Sequence, residues 1–324
     1  MQRKIYVKDI EHDEMRDGFL VTSHRKKLWN VQLNLIVEFD RICRKHNIKW
    51  SVACGSLLGA ARHKGFIPWD DDIDIMVMRP DYERLKKILP SELDRNYFVD
   101  MWYNYVHEGE PNPEGFPSIK LEHMKKYPWL PFSPFTKLRD LNTTYLKYVE
   151  IEELIQGLFI DIFPFDPVPP FNNPEHEKIF WTGEELRRAV TYPDQLKEEV
   201  RLGKPLYTSH ERLKEILSLP FRDRALIYEN YLADNFFDSE YVSFITFNAL
   251  PKDKPARIPS LLRKYYTEII RLPFEGIEVC APADYDALLT MHYGDWRTPK
   301  MSHIHAQIYS TDISYKDYFA AQTR

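Results

Sequence analysis

At residues 70–74 the chain reads DDDID, and it passes at once into IMVM at 75–78. An apolar run of this kind, rich in Val, Ile and Met, is a buried strand. Carboxylates resist burial, so the fold must place four of them at the mouth of a core strand without losing the strand. Successive side chains of a strand alternate between its two faces. On that pattern Asp70, Asp72 and Asp74 share one face, and Asp71, Ile73, Ile75 and Val77 share the other. Three carboxylates a few ångströms apart destabilise one another unless a cation sits among them. A hard divalent ion, Mg²⁺ or Mn²⁺, is the natural partner for oxygen donors that also face phosphate. A solvated acidic loop is the plainer alternative, but the immediate switch into an apolar strand weighs against it. A calcium loop of the EF-hand type fails, because Ile75 stands where Gly is needed and Asp81 where Glu is needed.

Just upstream lies CGSLLGAARHK, residues 54–64. Gly55, Ser56 and Gly59 let backbone N–H groups come close to an anion at the start of a short helix. A phosphate cradle followed by a metal-binding D-x-D strand is the minimum equipment for phosphoryl or nucleotidyl transfer.

The rest of the chain reads as a mixture of helices and strands on one sheet. Leu28, Val31, Leu35, Phe39 and Ile42 recur at helical spacing, which predicts a helix from Ser23, its N-cap, to about Asn47. IKWSVA at 48–53 reads as a strand, and so do YFVDMWY at 97–103, SIKLEHM at 118–124, TKLRDL at 136–141 and LFIDIF at 158–163. From Pro164 a proline-rich turn leads into a charged, helical stretch, with Phe180, Trp181, Tyr228 and Tyr231 on its packing faces. YVSFITFNAL at 241–250 returns to strand. The expected organisation is a core over 1–168, a helical insertion over 169–240 suited to acceptor recognition, and a C-terminal part over 241–324 that completes the core.

The chain has 324 residues and a net charge of -5, so a broad nucleic-acid-binding surface is not expected. Three cysteines with no CxxC spacing exclude a disulfide framework and a cysteine zinc site. They fit a reducing compartment. The first residues lack the apolar core of a signal peptide, and no run of about 18 apolar residues occurs. The expectation is a cytoplasmic protein, associated with the inner face of the membrane as a peripheral one where its acceptor is membrane-linked.

GSLLGAARHKGFIPWDDDIDIMV at 55–77 resembles the signature of the LicD/fukutin-related family, a branch of the nucleotidyltransferase superfamily. The resemblance continues in TKLRDLNTTY at 136–145, GLFIDIFPFDPV at 157–168 and YGDWRTP at 293–299. It implies an α+β fold, a nucleotidyltransferase-like sheet with flanking helices. It also implies a phosphotransferase that moves a phospho-alcohol, phosphocholine above all, from a CDP-alcohol donor to a hydroxyl of a glycan or lipid-linked glycan such as teichoic acid or lipopolysaccharide. Carried over by position, Asp72 and Asp74 form the catalytic metal-binding pair, with Asp70 beside them. Asp161 is the third carboxylate, either as base or as metal ligand. Arg62, Lys137 and Arg139 are the candidate partners of phosphate oxygens. His63 binds phosphate or caps its helix, and Trp69 stacks on a base or packs beneath the acidic run. Asp295 and Trp296 form a turn at the site's edge. One departure is the spacing of fifteen residues between Ser56 and Asp72, longer than in generic nucleotidyltransferases and in keeping with the LicD-type loop. Two other functions stay open on the sequence: a nucleotidyltransferase that attaches NMP to a small phosphorylated molecule, and an inactive scaffold of glycan assembly.

Overall fold

In the computed structural model the described residues are 3–127, 130, 135–168, 174–234, 239–244, 261–301 and 308–322. The chain is a mixture of helices and sheets, an α+β protein. It divides into two units. The first comprises 1–100, 136–163 and 264–324, and the second 101–135 and 164–263.

The first unit is built on the long helix α1 (Ser23–Lys45) and a sheet. Its N-cap is Thr22, one residue before the expected Ser23; the Thr22 side chain accepts from the Arg25 amide. Leu28, Leu35, Phe39 and Ile42 are fully buried, as their spacing predicts, and Trp29, Leu33 and Ile36 widen the buried face. Burying each such side chain contributes roughly 1.5–3 kcal/mol. The strand Trp50–Val52 pairs antiparallel with Asp74–Met78, with Val52 opposite Ile75. The next neighbour is Phe159–Val168, then Thr136–Asp140, then Tyr97–Asp100. Between the first two strands lies α2 (Cys54–His63), and α3 (Arg79–Glu92) follows the second. The strand read at 118–124 is only Ser118–Ile119, which gives way to the helix Leu121–Lys126.

In the first unit Gly157 is a point of closest approach. A Cβ there would lie 2.1 Å from the carbonyl oxygen of Asp140 and 3.0 Å from its carbon. The backbone of the neighbouring strand cannot retreat as a flexible side chain can. Gly157→Ala is therefore expected to cost about 3 kcal/mol, read from urea unfolding. A loss below about 1 kcal/mol would show that the strands yield.

In the second unit, helices Pro174–Thr191, Pro193–Arg201, His210–Leu217 and Phe221–Asp234 enclose an apolar core. Leu186, Val190, Leu213, Tyr228 and Leu232 fill it together with Trp102, and Phe180 and Tyr231 pack against it. The later half of Phe159–Val168 pairs with Tyr241–Ser243. The helical stretch 169–240 falls within this unit, which also takes in 101–135, 164–168 and 241–263. Residues 245–250 of the expected strand lie outside the described residues. No helix among the described residues is long and apolar enough to cross a membrane.

Candidate active site

Residues 70–73 are not strand. Regular pairing begins at Asp74, because the partner Trp50–Val52 ends where the chain turns into α2. The turn runs through Cys54, which has a left-handed φ of +47°, a strained conformation for a non-glycine residue. The expected alternation of faces therefore does not hold across 70–73. The carboxylates of Asp70, Asp71 and Asp72 lie together instead, each offering an oxygen within 4.8 Å of the others. Asp71 also accepts from the Tyr145 hydroxyl at 3.4 Å.

The electrostatics record this crowding. Burial and the neighbouring charge of Asp72, then that of Asp71, push the Asp70 carboxyl up to about 8. Asp74 is raised by burial and by Asp72, Asp161 and Asp70. Asp161 comes in from the adjacent strand, where its amide donates to the Ile73 carbonyl at 2.9 Å. Burial raises Asp161, opposed by the Lys137 ammonium that is ion-paired with it. Lys137 is lowered by burial in turn, and lies 3.9 Å from the centre of the Phe159 ring. Thus Asp161, distant in sequence from Asp72 and Asp74, comes within electrostatic reach of both.

The structure gives the glycines and Ser56 defined positions. The first turn of α2 has no side-chain cap. A Cβ at Gly55 would lie 2.8 Å from the Asp70 carboxylate, so Gly55 lets this anion come up to the positive end of the helix. Ser56 is buried, and its hydroxyl accepts from the Asp74 amide at 2.9 Å. A Cβ at Gly59 would lie 2.4 Å from the Gly65 carbonyl oxygen, so this position closes α2 against the loop that leads to the aspartates.

The basic candidates are largely engaged. Arg139 pairs with Asp100 at 2.5 Å and donates to the Gly157 carbonyl at 2.9 Å. Arg62 donates to the Trp296 carbonyl at 2.8 Å, which ties α2 to the late YGDW turn. His63 pairs with Asp17 at 2.8 Å. Trp69 is buried edge-on to Phe19 and His63, as a packing residue would be. Trp296 donates to Asp286 at 3.0 Å, and Asp295 accepts from the Thr298 hydroxyl at 2.6 Å.

Residues 47–129 match the family model described as LicD/FKTN/FKRP, nucleotidyltransferase domain. The likeness to the LicD family is thus carried by this segment. Among its relatives is the lipopolysaccharide cholinephosphotransferase LicD of Haemophilus influenzae. The two are 33% identical over 139 residues, which is 43% of this chain and 43% of the relative. An uncharacterized protein of Rickettsia prowazekii is 43% identical over 65 residues, covering 20% of this chain and 24% of its own length. Another, of Rickettsia typhi, is 40% identical over 88 residues, covering 27% and 28%. Each match thus spans less than half of the relative's length. The LicD-family segment contains α2 and the acidic loop. Asp161 and Lys137 lie beyond it, yet the sheet brings them beside it.

Sequence reasoning passed over four residues near the carboxylates. Tyr145 reaches Asp71. The Tyr293 hydroxyl is pushed up by burial and by the charges of Asp74 and Asp70; it opens the YGDWRTP stretch, of which only Asp295 and Trp296 were given a place. Trp29 and Gln32 sit inside the apolar face of α1, where polar atoms carry no visible signal.

Proposed function

We propose that this chain transfers phosphocholine from CDP-choline to a hydroxyl of a cell-surface glycan of the lipopolysaccharide kind, using Mg²⁺ or Mn²⁺. The observation that carries the reading is the convergence of Asp70, Asp71 and Asp72 within 4.8 Å, inside a segment that matches the LicD family model, with Asp161 close enough to raise Asp74. The donor set fits a hard divalent ion. All donors are carboxylate oxygens, and their mutual repulsion, visible in the raised Asp70 and Asp74, is what such an ion would relieve. Asp70, Asp71 and Asp72 would hold it, with Asp74 and Asp161 beside them. When bound, the ion supplies charge neutralisation at the donor pyrophosphate.

The chain's own residues do the rest. Asp161 accepts the proton of the glycan hydroxyl as its oxygen forms a bond to phosphorus and the bond to CMP breaks. Lys137 opposes the burial of Asp161 and so keeps this carboxylate able to act as a base. Ser56 fixes the Asp74 backbone, and the uncapped start of α2, with Gly55, offers amides to a phosphate oxygen. Arg62 and Arg139 hold the walls: one ties down the YGDW turn, the other the strand Thr136–Asp140.

The domain description leaves a second reading, NMP transfer from CTP with release of pyrophosphate. Thermal unfolding with CDP-choline, CDP-ribitol, CDP-glycerol or CTP, each with and without Mg²⁺, separates the two. A ligand at about 100 times its dissociation constant adds roughly 2.7 kcal/mol. The expected result is a rise with CDP-choline that requires Mg²⁺. A rise with CTP alone would favour the second reading.

A further inference from the structure

We propose that Arg25, Trp29 and Gln32 of α1 are positioning residues of the acidic site. The proposal rests on the reading of the aspartates as a metal centre. The three stand at i, i+4 and i+7, which is one face of a helix. Arg25 Nη1 donates to the Asp70 carbonyl at 2.9 Å, and Trp29 Nε1 donates to the same oxygen at 3.0 Å. Gln32 Nε2 donates to the Asp71 carbonyl at 2.8 Å and to the Phe159 carbonyl at 3.3 Å. One amide thus grips both the acidic loop and the strand that carries Asp161.

The need for this grip follows from two features already described. Residues 70–73 are not strand, so they lack a regular ladder to hold them. Their carboxylates repel one another, a force that would splay an untethered loop. A face of α1 supplies fixed donors to the backbone of the loop. Arg25 brings a positive charge to the backbone of the loop. Packing alone does not explain Gln32. It is buried, and its Oε1 has no hydrogen-bond partner among the described residues, a costly arrangement for a side chain that merely fills space. α1 lies outside the segment matched by the LicD-family model. The working site therefore extends beyond that segment.

The test uses the full chain with two variants that preserve shape. Trp29→Phe removes the indole donor while retaining a ring to stack on Phe66, 4.7 Å away between centroids. Gln32→Met removes both amide donors. Mn²⁺ binding is titrated by electron paramagnetic resonance, and amide exchange of a peptide covering 67–75 is followed by mass spectrometry without metal. Each variant is expected to weaken Mn²⁺ binding about tenfold and to speed exchange at 70–73 while exchange elsewhere is unchanged. Mn²⁺ affinity within about twofold of the parent, with stability alone reduced, would overturn the proposal. Unchanged exchange in the loop would overturn it as well. If the parent chain binds no Mn²⁺, the metal reading fails, and the exchange comparison by itself then decides whether α1 holds the loop.

Discussion

Asp72→Asn is expected to lower phosphocholine transfer by at least about 10³-fold while leaving the metal-free protein as stable as the parent, or more so. Asp72 is the charge that Asp70, Asp74 and Asp161 all register. Asparagine has nearly the same shape but carries no charge. It offers one oxygen where the carboxylate offered two. Transfer fails because the remaining carboxylates no longer neutralise an ion in the same place. Stability does not fall, because one member of a mutually repelling set has been removed. An ordinary core substitution loses activity and stability together, so the opposed signs identify a functional residue. Steady-state rates with Mg²⁺, and urea unfolding in a chelator, measure the two quantities. Activity above about a tenth of the parent would contradict the assignment.

Acidification from pH 7 to 4 is expected to cost the parent chain roughly 3 kcal/mol more than it costs His107→Gln. His107 belongs to the second unit, where its ring stacks on Phe221 at 4.0 Å. Burial, with a smaller contribution from Arg224, pushes it down to about 4 from an ordinary 6.5, against the pull of Glu110. The folded state thus binds fewer protons than the unfolded one between these values. Stability is complete above about pH 6.5 and is lost as pH falls through that window towards 4. Asp70 works in the opposite direction. Its folded value is raised to about 8, so its contribution weakens the fold as pH rises from about 4 to 8. That contribution is common to both proteins and cancels in the difference. Urea unfolding of the two at several pH values, followed by helical circular dichroism, gives the comparison. Parallel pH profiles would show that His107 is solvated.

The periodic parts of the fold were legible. The spacing of Leu28, Leu35, Phe39 and Ile42 yields α1, and the IMVM run yields the strand after the aspartates. The α+β class follows from both. The onset of pairing was not legible, because it depends on the partner. Trp50–Val52 is only three residues long, and nothing in DDDID reveals that it stops opposite Ile75. This is why Asp71 joins Asp70 and Asp72 instead of facing away. The YGDW turn was visible as a motif, but its tie to Arg62 is a backbone acceptor that no side-chain pattern encodes. The same holds for Trp29 and Gln32. Their partners are carbonyls tens of residues away, which every residue possesses and no sequence displays. The stretch SIKLEHM reads as strand at Ile119 and becomes helix from Leu121, and local preference alone does not divide it.

Phosphorus NMR of the reaction itself tests the central claim most directly. The purified chain is incubated with CDP-choline, choline-free lipopolysaccharide and Mg²⁺. The pyrophosphate resonances of the donor should be replaced by those of CMP and of a new phosphodiester on the glycan, with none of this in a chelator or with Asp72→Asn. Conversion at an equal rate in the chelator, or by Asp72→Asn, would contradict the account. So would an unchanged donor beside CTP that is cleaved to pyrophosphate.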